Sequence, residues 1–414
     1  MTDAARLERR INELAQIGRT DDPPREIYGT AVSRLGLTAD EQRARDLVMK
    51  WCSGLGATMR RDAAANLFIR FPARMDADAP VLLVGSHLDS VPMGGRFDGA
   101  LGVCCAVEAV VSLVEAGHQF ARPVEVVAWA DEEGARFGVG LFGSAAAFGK
   151  LPGGAAERRD KDGVSIADAL RALGMSGEPT LALRDPKGVR AYLELHIEQG
   201  PRLERAGVPL GVVSDIVGIF HGRVTIQGRQ GHAGATVMGE RVDALVAASH
   251  VIIALERIAK AIPDSVATVG EISVRPGAKN VIPGECTFSL DIRAPKQESI
   301  DRVLDGLRKE LSALMRERAS ATRLEVLQTV AVTPLDPGMR ELLHRSALTV
   351  GVTAPSMVSG AGHDAQNPAL SGVPTGMIFV RSTGGSHTPT EFAATEDAVL
   401  GARALEAAIA ELAR

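Results

Sequence analysis

Between Gly85 and Gly102 the chain reads Gly-Ser-His-Leu-Asp-Ser-Val-Pro-Met-Gly-Gly-Arg-Phe-Asp-Gly-Ala-Leu-Gly. His87 and Asp89 follow an apolar run, Val81-Leu82-Leu83-Val84, and a Gly-rich turn then presents Asp98 at the mouth of a long apolar helix. Strand ends that lead into loops are where α/β proteins place metal ligands and catalytic groups. The pattern recurs three times. Val124 to Ala130 runs into Asp131-Glu132-Glu133, Ala191 to Leu195 runs into His196-Ile197-Glu198-Gln199, and Met377 to Val380 precedes Ser386-His387-Thr388-Pro389-Thr390-Glu391. Adjacent carboxylates raise each other's pKa unless something positive lies beside them. A metal resolves that conflict at Glu132-Glu133, one glutamate ligating while its neighbour acts as a base.

Taken together, His87, Asp98, Glu133, His196 and His387 make a ligand set for two divalent metal ions. Nitrogen and carboxylate donors without thiolates suit Zn, with Mn, Co or Ni as alternatives. A central carboxylate could bridge the two ions, leaving a water or hydroxide between them as nucleophile. Asp89 lies two residues beyond His87 in an extended segment, and is expected to orient the His87 ring rather than to ligate.

Four strands must deliver these residues to one sheet edge. Residues 1–213 alternate strand and helix, as a mixed, mostly parallel sheet flanked by helices would. The character changes at about Ser214. Gly222 to Gly228, Ala267 to Val274 and Cys286 to Arg293 alternate as half-exposed strands do, with helices at Arg241 to Ala261 and Ile300 to Ala319. That order describes a small α+β domain on an antiparallel sheet. The expected organisation is a discontinuous catalytic domain, 1–213 with 331–414, interrupted by an insertion at 214–330, because His387 lies beyond the insertion.

Composition narrows the class. At 414 residues, 45% hydrophobic and 23% charged, the chain is long enough for two globular cores. A net charge of -5 without a basic stripe argues against nucleic acid as a partner. The apolar stretch Gly99 to Ala116 carries Glu108 and Glu115 and reads as a buried helix, not a membrane span. The charged start, Met-Thr-Asp-Ala-Ala-Arg-Leu-Glu-Arg-Arg, is not a signal peptide. Four cysteines without ligand spacing read as core residues and fit a reducing, cytoplasmic setting. Gly138-Val139-Gly140-Leu141-Phe142-Gly143 matches a dinucleotide fingerprint in letters only, since acidic residues and not a strand precede it; a helix start is expected there.

The chain resembles the hydantoinase/carbamoylase family of dinuclear metal-dependent amidohydrolases, within the aminoacylase and carboxypeptidase clan. The resemblance covers nearly the whole chain. It rests on the His87 and Asp98 segment, on Asp-Glu-Glu-Gly-Ala-Arg-Phe from Asp131, and on Glu-Leu-His-Ile-Glu-Gln-Gly-Pro from Glu194. Gly231-His232-Ala233-Gly234, Ser359-Gly360-Ala361-Gly362-His363-Asp364 and the His387 segment add to it. It implies hydrolysis of N-carbamoyl-L-amino acids or allantoate, small ureido acids bearing a carboxylate, with release of ammonia and carbon dioxide. His196 stands where peptidases of the clan carry an acidic ligand, which points to the carbamoylase group. An N-acyl amino acid hydrolase, a dipeptidase or an inactive binding homologue are the alternatives.

The resemblance also implies roles. Glu132 is the base and Glu133 its ligating neighbour. The insertion is a lid and dimerisation domain in a homodimer, and His232 steadies the oxyanion, reaching the partner subunit's site. Asn280 and Arg293 bind the substrate carboxylate, for which a guanidinium fork is suited. Gln199 and Gly360 supply polar and backbone contacts, and His363 and Asp364 buttress the site. Departures from the family pattern fall at Ala235, Val237 and Arg381, with Phe220 and His221 where substrate-side groups are expected; they bear on substrate identity rather than on metal chemistry.

Overall fold

A computed structural model of the chain describes residues 2–20, 31–75, 78–317 and 321–414. In chain order, a large sheet takes β1 (Thr58–Arg61), β2 (Leu67–Phe71), β3 (Val81–His87), β4 (Val124–Trp129), β5 (Val189–Ile197) and β6 (Leu210–Ile216). An antiparallel sheet then takes β7 (Gly218–Gln227), β8 (Val266–Thr268), β9 (Ile272–Arg275), β10 (Glu285–Ala294) and β11 (Ala321–Val330). The chain returns to the large sheet with β12 (Thr333–Pro334), β13 (Ser356–Ser359) and β14 (Thr375–Val380). The principal helices are α1 (Ala4–Leu14), α2 (Ala100–Glu115), α3 (Ala244–Lys260), α4 (Gln297–Glu317) and α5 (Thr395–Leu412). Two compact units result: Met1–Ser214 with Pro334–Met357 and His363–Arg414, and Asp215–Thr333 with Val358–Gly362.

In the first unit the sheet runs β12-β6-β14-β5-β3-β4-β2-β1, with β13 beside β6. Its four central strands, β14, β5, β3 and β4, are mutually parallel, while β6 and β2 pair antiparallel at the flanks. This is the mixed α/β class expected from the strand–helix alternation. The central strands are buried along nearly their whole length, which is why they read as continuous apolar runs. Helix α2 is buried from Ala100 to Leu113 and is apolar there except for Ser112 and Glu108, the latter paired with Arg6 and Arg10, and its core is shared with α1 and α5. A Cβ at Gly102 would stand 2.1 Å from the Leu195 carbonyl oxygen, so glycine lets α2 lie against β5. Among the described residues no helix is long and apolar enough to cross a membrane.

The second unit packs α3 and α4 on one face of its antiparallel sheet, over a core of Phe220, Val224, Phe288 and Ile292. Strands β7 and β10 alternate buried and half-exposed residues almost without exception, as a sheet with one covered face requires. Besides shifted ends of β7 and α3, three details differ from the sequence expectation. The stretch Ala267 to Val274 is two strands, β8 and β9, both paired with β10. Strand β11 was not anticipated: it is a largely exposed edge, so burial does not impose a two-residue rhythm on it. Helix α4 begins at Gln297 rather than Ile300, and Ala319 lies outside the described residues.

Candidate metal centre

The parallel register brings the carboxyl ends of β3, β4, β5 and β14 into line: His87 pairs with Trp129, and Ile197 with Val380. His87 and His196 are therefore at strand ends, Glu132 and Glu133 just beyond β4, and His387 in the loop after β14. Asp131, at φ 49°, turns the chain immediately before the two glutamates.

The imidazoles are oriented by their far nitrogens. His196 Nδ1 is 3.0 Å from the Ile197 carbonyl oxygen, and His87 Nδ1 is 3.2 Å from that of Asp89. A carbonyl can only accept, so each Nδ1 donates and each neutral ring presents a bare Nε2. Those two Nε2 atoms face each other at 3.4 Å. Two lone pairs at that range repel unless an electrophile lies between them.

Asp98 completes the arrangement. Its Oδ1 is 3.3 Å from His196 Nε2 and 3.7 Å from His87 Nε2. Its Oδ2 is 3.4 Å from His387 Nε2, which in turn is 3.3 Å from Glu133 Oε2. Two groups, His87–Asp98–His196 and Asp98–Glu133–His387, thus share one carboxylate. Ligand bonds of about 2.0–2.1 Å in a tetrahedron put donor atoms about 3.3–3.4 Å apart, close to the separations here. The buried Glu133 Oε1 has no hydrogen-bond partner in the structure, as a donor atom awaiting a cation would not. The donor types and spacing of both groups fit divalent ions, and Asp98 is the residue common to them.

Supporting residues fix these groups. Asp89 accepts the backbone N–H of Glu132 on Oδ1 and of Glu133 on Oδ2, both at 3.0 Å, and its Oδ1 is 3.4 Å from His87 Nδ1. One buried carboxylate therefore holds both glutamates and the ring. Gln199, at φ 60°, donates from Nε2 to Asp98 Oδ2 at 2.8 Å, beside the ligands rather than free for substrate alone. Two further carboxylates were not singled out from sequence. Glu391 accepts the N–H of Phe97 and Asp98 at 3.1 and 3.0 Å, and Ser386 Oγ lies 2.8 Å from its Oε2. Glu194 receives Ser86, Tyr192 and the Ala365 N–H beneath His196. Glu391 lies within the His387 segment, so its motif was visible; Glu194 sits inside an apolar strand, where a lone acid is the available signal. His363 packs on His196 with ring centroids 4.4 Å apart, and Ser144 donates to Asp364.

The electrostatics follow from crowding. Burial, and then Asp364 and Glu133, push the Glu132 carboxyl well above the usual carboxylate range, although His87 pulls the other way. Burial and Asp98 do the same to Glu133. Burial disfavours charge on His87, but Glu132, Asp89 and Asp98 outweigh it and hold its pKa well above the imidazole norm. On Asp98 the three histidines overcome burial and depress the pKa. Glu132 and Glu133 are raised while His87 and His196 are held up beside them, a balance that divalent ions would favour, although burial holds His363 below the imidazole norm.

The other expected residues lie in the second unit. His232 and Asn280 are neighbours there: Gly231–His232 pairs antiparallel with Val281–Ile282, and the Ala233 N–H donates to the Asn280 carbonyl. His232 Nδ1 accepts the N–H of Gly234 and Ala235 at 3.0 and 3.1 Å, so the neutral ring carries its proton on Nε2. Arg293 donates from Nε and Nη2 to Asp291 Oδ1 and Oδ2, both at 2.9 Å. Gly360 is exposed.

Comparison with known proteins now decides the family. Residues 83–411 match the model of peptidase family M20/M25/M40. The chain belongs to that family. This M20 family member is 41% identical to an N-carbamoyl-L-amino acid amidohydrolase of Geobacillus stearothermophilus, across 100% of both chains. It is 36% identical to allantoate deiminase 1 of Glycine max, over 94% of this chain and 86% of the relative. A crystallised amidase of the hydantoinase/carbamoylase family from Burkholderia multivorans superposes with a TM-score of 0.87 at 36% identity, covering 100% of this chain and 98% of that one. The M20 family member is a hydrolase of the metal-dependent amidohydrolase type, in agreement with the resemblance seen in its motifs.

Proposed function

We propose that the M20 family member hydrolyses the ureido C–N bond of an N-carbamoyl-L-amino acid, with allantoate as the alternative substrate of the same chemistry. The observation that carries this reading is the Asp98 carboxylate shared between two ligand groups, with Glu132 Oε2 3.7 Å from His87 Nε2 beside it. The names of the two relatives supply the substrate class. Two divalent ions, with Zn first and Mn, Co or Ni as alternatives, when bound supply Lewis acidity to the scissile carbonyl and acidify the attacking water. His87, Asp98 and His196 would hold one, and Asp98, Glu133 and His387 the other.

The chain's own residues do the rest. Glu132 takes the water's proton and returns it to the leaving nitrogen, a task its raised pKa suits. The Nε2–H of His232 donates to the developing oxyanion. Arg293 and Asn280 hold the substrate carboxylate, and Gln199 and Gly360 add polar and backbone contacts. The carbamic acid released decomposes to ammonia and carbon dioxide, leaving the free amino acid.

Ammonia should therefore be released from carbamoyl amino acids or allantoate in the presence of Zn, Mn, Co or Ni, whereas the free amino acid, the product common to all these substrates, should appear far more slowly from N-acetyl amino acids and dipeptides. Faster cleavage of the acetyl or peptide substrates would replace this reading with the acylase or dipeptidase one. The reading includes a homodimer formed through the second unit. Leu245, Val246 and Ile253 of α3 and Val266 and Ile272 of the β8–β9 edge are exposed, and an uncovered edge strand invites pairing. Analytical ultracentrifugation should show a dimer, and an active monomer would overturn that part.

A further inference from the structure

The sheet face of the second unit opposite α3 and α4 carries a row of polar residues running across three strands. Asp291 on β10 stands directly opposite His221 on β7, and His221 opposite Gln328 on β11. His221 Nε2 is 3.5 Å from Asp291 Oδ2, the oxygen that also accepts from Arg293 Nη2. Arg293 is two residues along from Asp291 and hence on the same face. The result is a chain: Gln328, His221, Asp291, Arg293.

Asp291 takes the Nε/Nη2 edge of the guanidinium with both oxygens. A guanidinium has a second two-donor edge, formed by Nη1 with the other hydrogen of Nη2. We propose that Asp291 and His221 are positioning residues for substrate carboxylate recognition: Asp291 fixes Arg293 so that its Nη1/Nη2 edge meets the substrate, and His221 sets how much of Asp291's charge offsets Arg293. This rests on the reading of Arg293 as the carboxylate-binding residue.

The charge arithmetic gives the mechanism its direction. With a neutral His221, Asp291 cancels Arg293 and the row is uncharged. With a protonated His221 the row carries one net positive charge toward an incoming carboxylate. The hydrogen bond and charge of Asp291, with Gln328, raise the His221 pKa above the imidazole norm against burial and Arg293. Further along the same face Arg223 stands two residues away on β7, with Glu325 and Ser289 opposite it, and Thr268 of β8 faces Asp291. Asp291 is the sole carboxylate directly opposite His221 among these.

The test compares KM for an N-carbamoyl amino acid with KM for its carboxamide from about pH 6 to about pH 9, the range in which an imidazole with a raised pKa discharges. For the metal-loaded wild type, the acid's advantage over the amide should fall about fourfold with rising pH, the effect of one half-screened charge at short range. His221→Gln should flatten that ratio. Arg293→Lys separates the two levels of the argument. An equal loss on acid and amide would remove Arg293 from carboxylate recognition and this proposal with it. An acid-selective loss together with an unchanged pH profile in His221→Gln would leave Arg293 in place and overturn the roles of His221 and Asp291. Should His221→Gln not fold, the imidazole can be titrated by NMR in zinc-loaded wild type. Addition of the product amino acid should raise the His221 pKa and the amino acid amide should not; equal responses overturn the proposal.

Discussion

Glu132 is buried and the adjacent Glu133 half-buried in acid-rich surroundings, yet they face different partners. Glu133 Oε2 points to His387 within the ligand group, whereas Glu132 Oε2 lies toward His87. Sequence alone left open which glutamate does what, because neighbouring carboxylates after a strand carry no label; the Asp89 clamp on both N–H groups is what sends them apart. Glu132→Gln should keep near-normal metal content and lose about 10²–10⁴-fold in kcat, since it deletes a proton carrier. Glu133→Gln should instead lose bound metal, measured by atomic absorption after dialysis. A metal-free Glu132→Gln would reverse the assignment.

At the level of elements, the site was legible wherever a buried strand ended in a polar residue. Val81 to Val84 and Val124 to Ala130 announce themselves because a strand buried on both faces is apolar along most of its length, Glu125 apart, so His87 and the glutamates stand out at the ends. Strand β11 and the Asp291–His221 contact were not legible: the first is an exposed edge, and the second depends on cross-strand register, which residue types do not encode locally. The start of α2 shows what an element contributes to the metal centre. Gly99 caps it at φ 61°, and a Cβ there would fall 2.2 Å from His87 Nε2. Gly99→Ala combines backbone strain of about 1–3 kcal/mol with displacement of the ring. Metal affinity and melting temperature should both drop, and a variant with wild-type metal stoichiometry and stability would show that the turn relaxes without moving His87.

Across the whole molecule, the metal centre concentrates charge that folding alone does not neutralise. In the chelated protein the Glu391 carboxyl is pushed up to about 7 by burial and then by Asp98, Glu132 and Glu133 are held well above the carboxylate range, and His87 and His196 also lie above their ordinary values. Every one of these folded-state pKa values exceeds the unfolded one, so each group favours the folded chain while protonated and loses that contribution as pH rises through its folded value. Asp98, Asp89 and His363 run the other way: the two aspartates' contribution is already complete above the ordinary carboxylate range, and His363, held down by burial, offsets one of the raised groups. The stability of the chelated protein should therefore decline from about pH 5 to about pH 8. Bound divalent ions replace those protons and bind better as the ligands lose them, so the metal-loaded protein should gain on the chelated one over the same interval. Differential scanning calorimetry with chelator and with Zn, at matched ionic strength, measures both curves. If chelation lowered the melting temperature equally at both ends of that interval, the ions would not be taking the place of protons on these carboxylates and imidazoles, and the shared Asp98 arrangement would lose its electrostatic rationale.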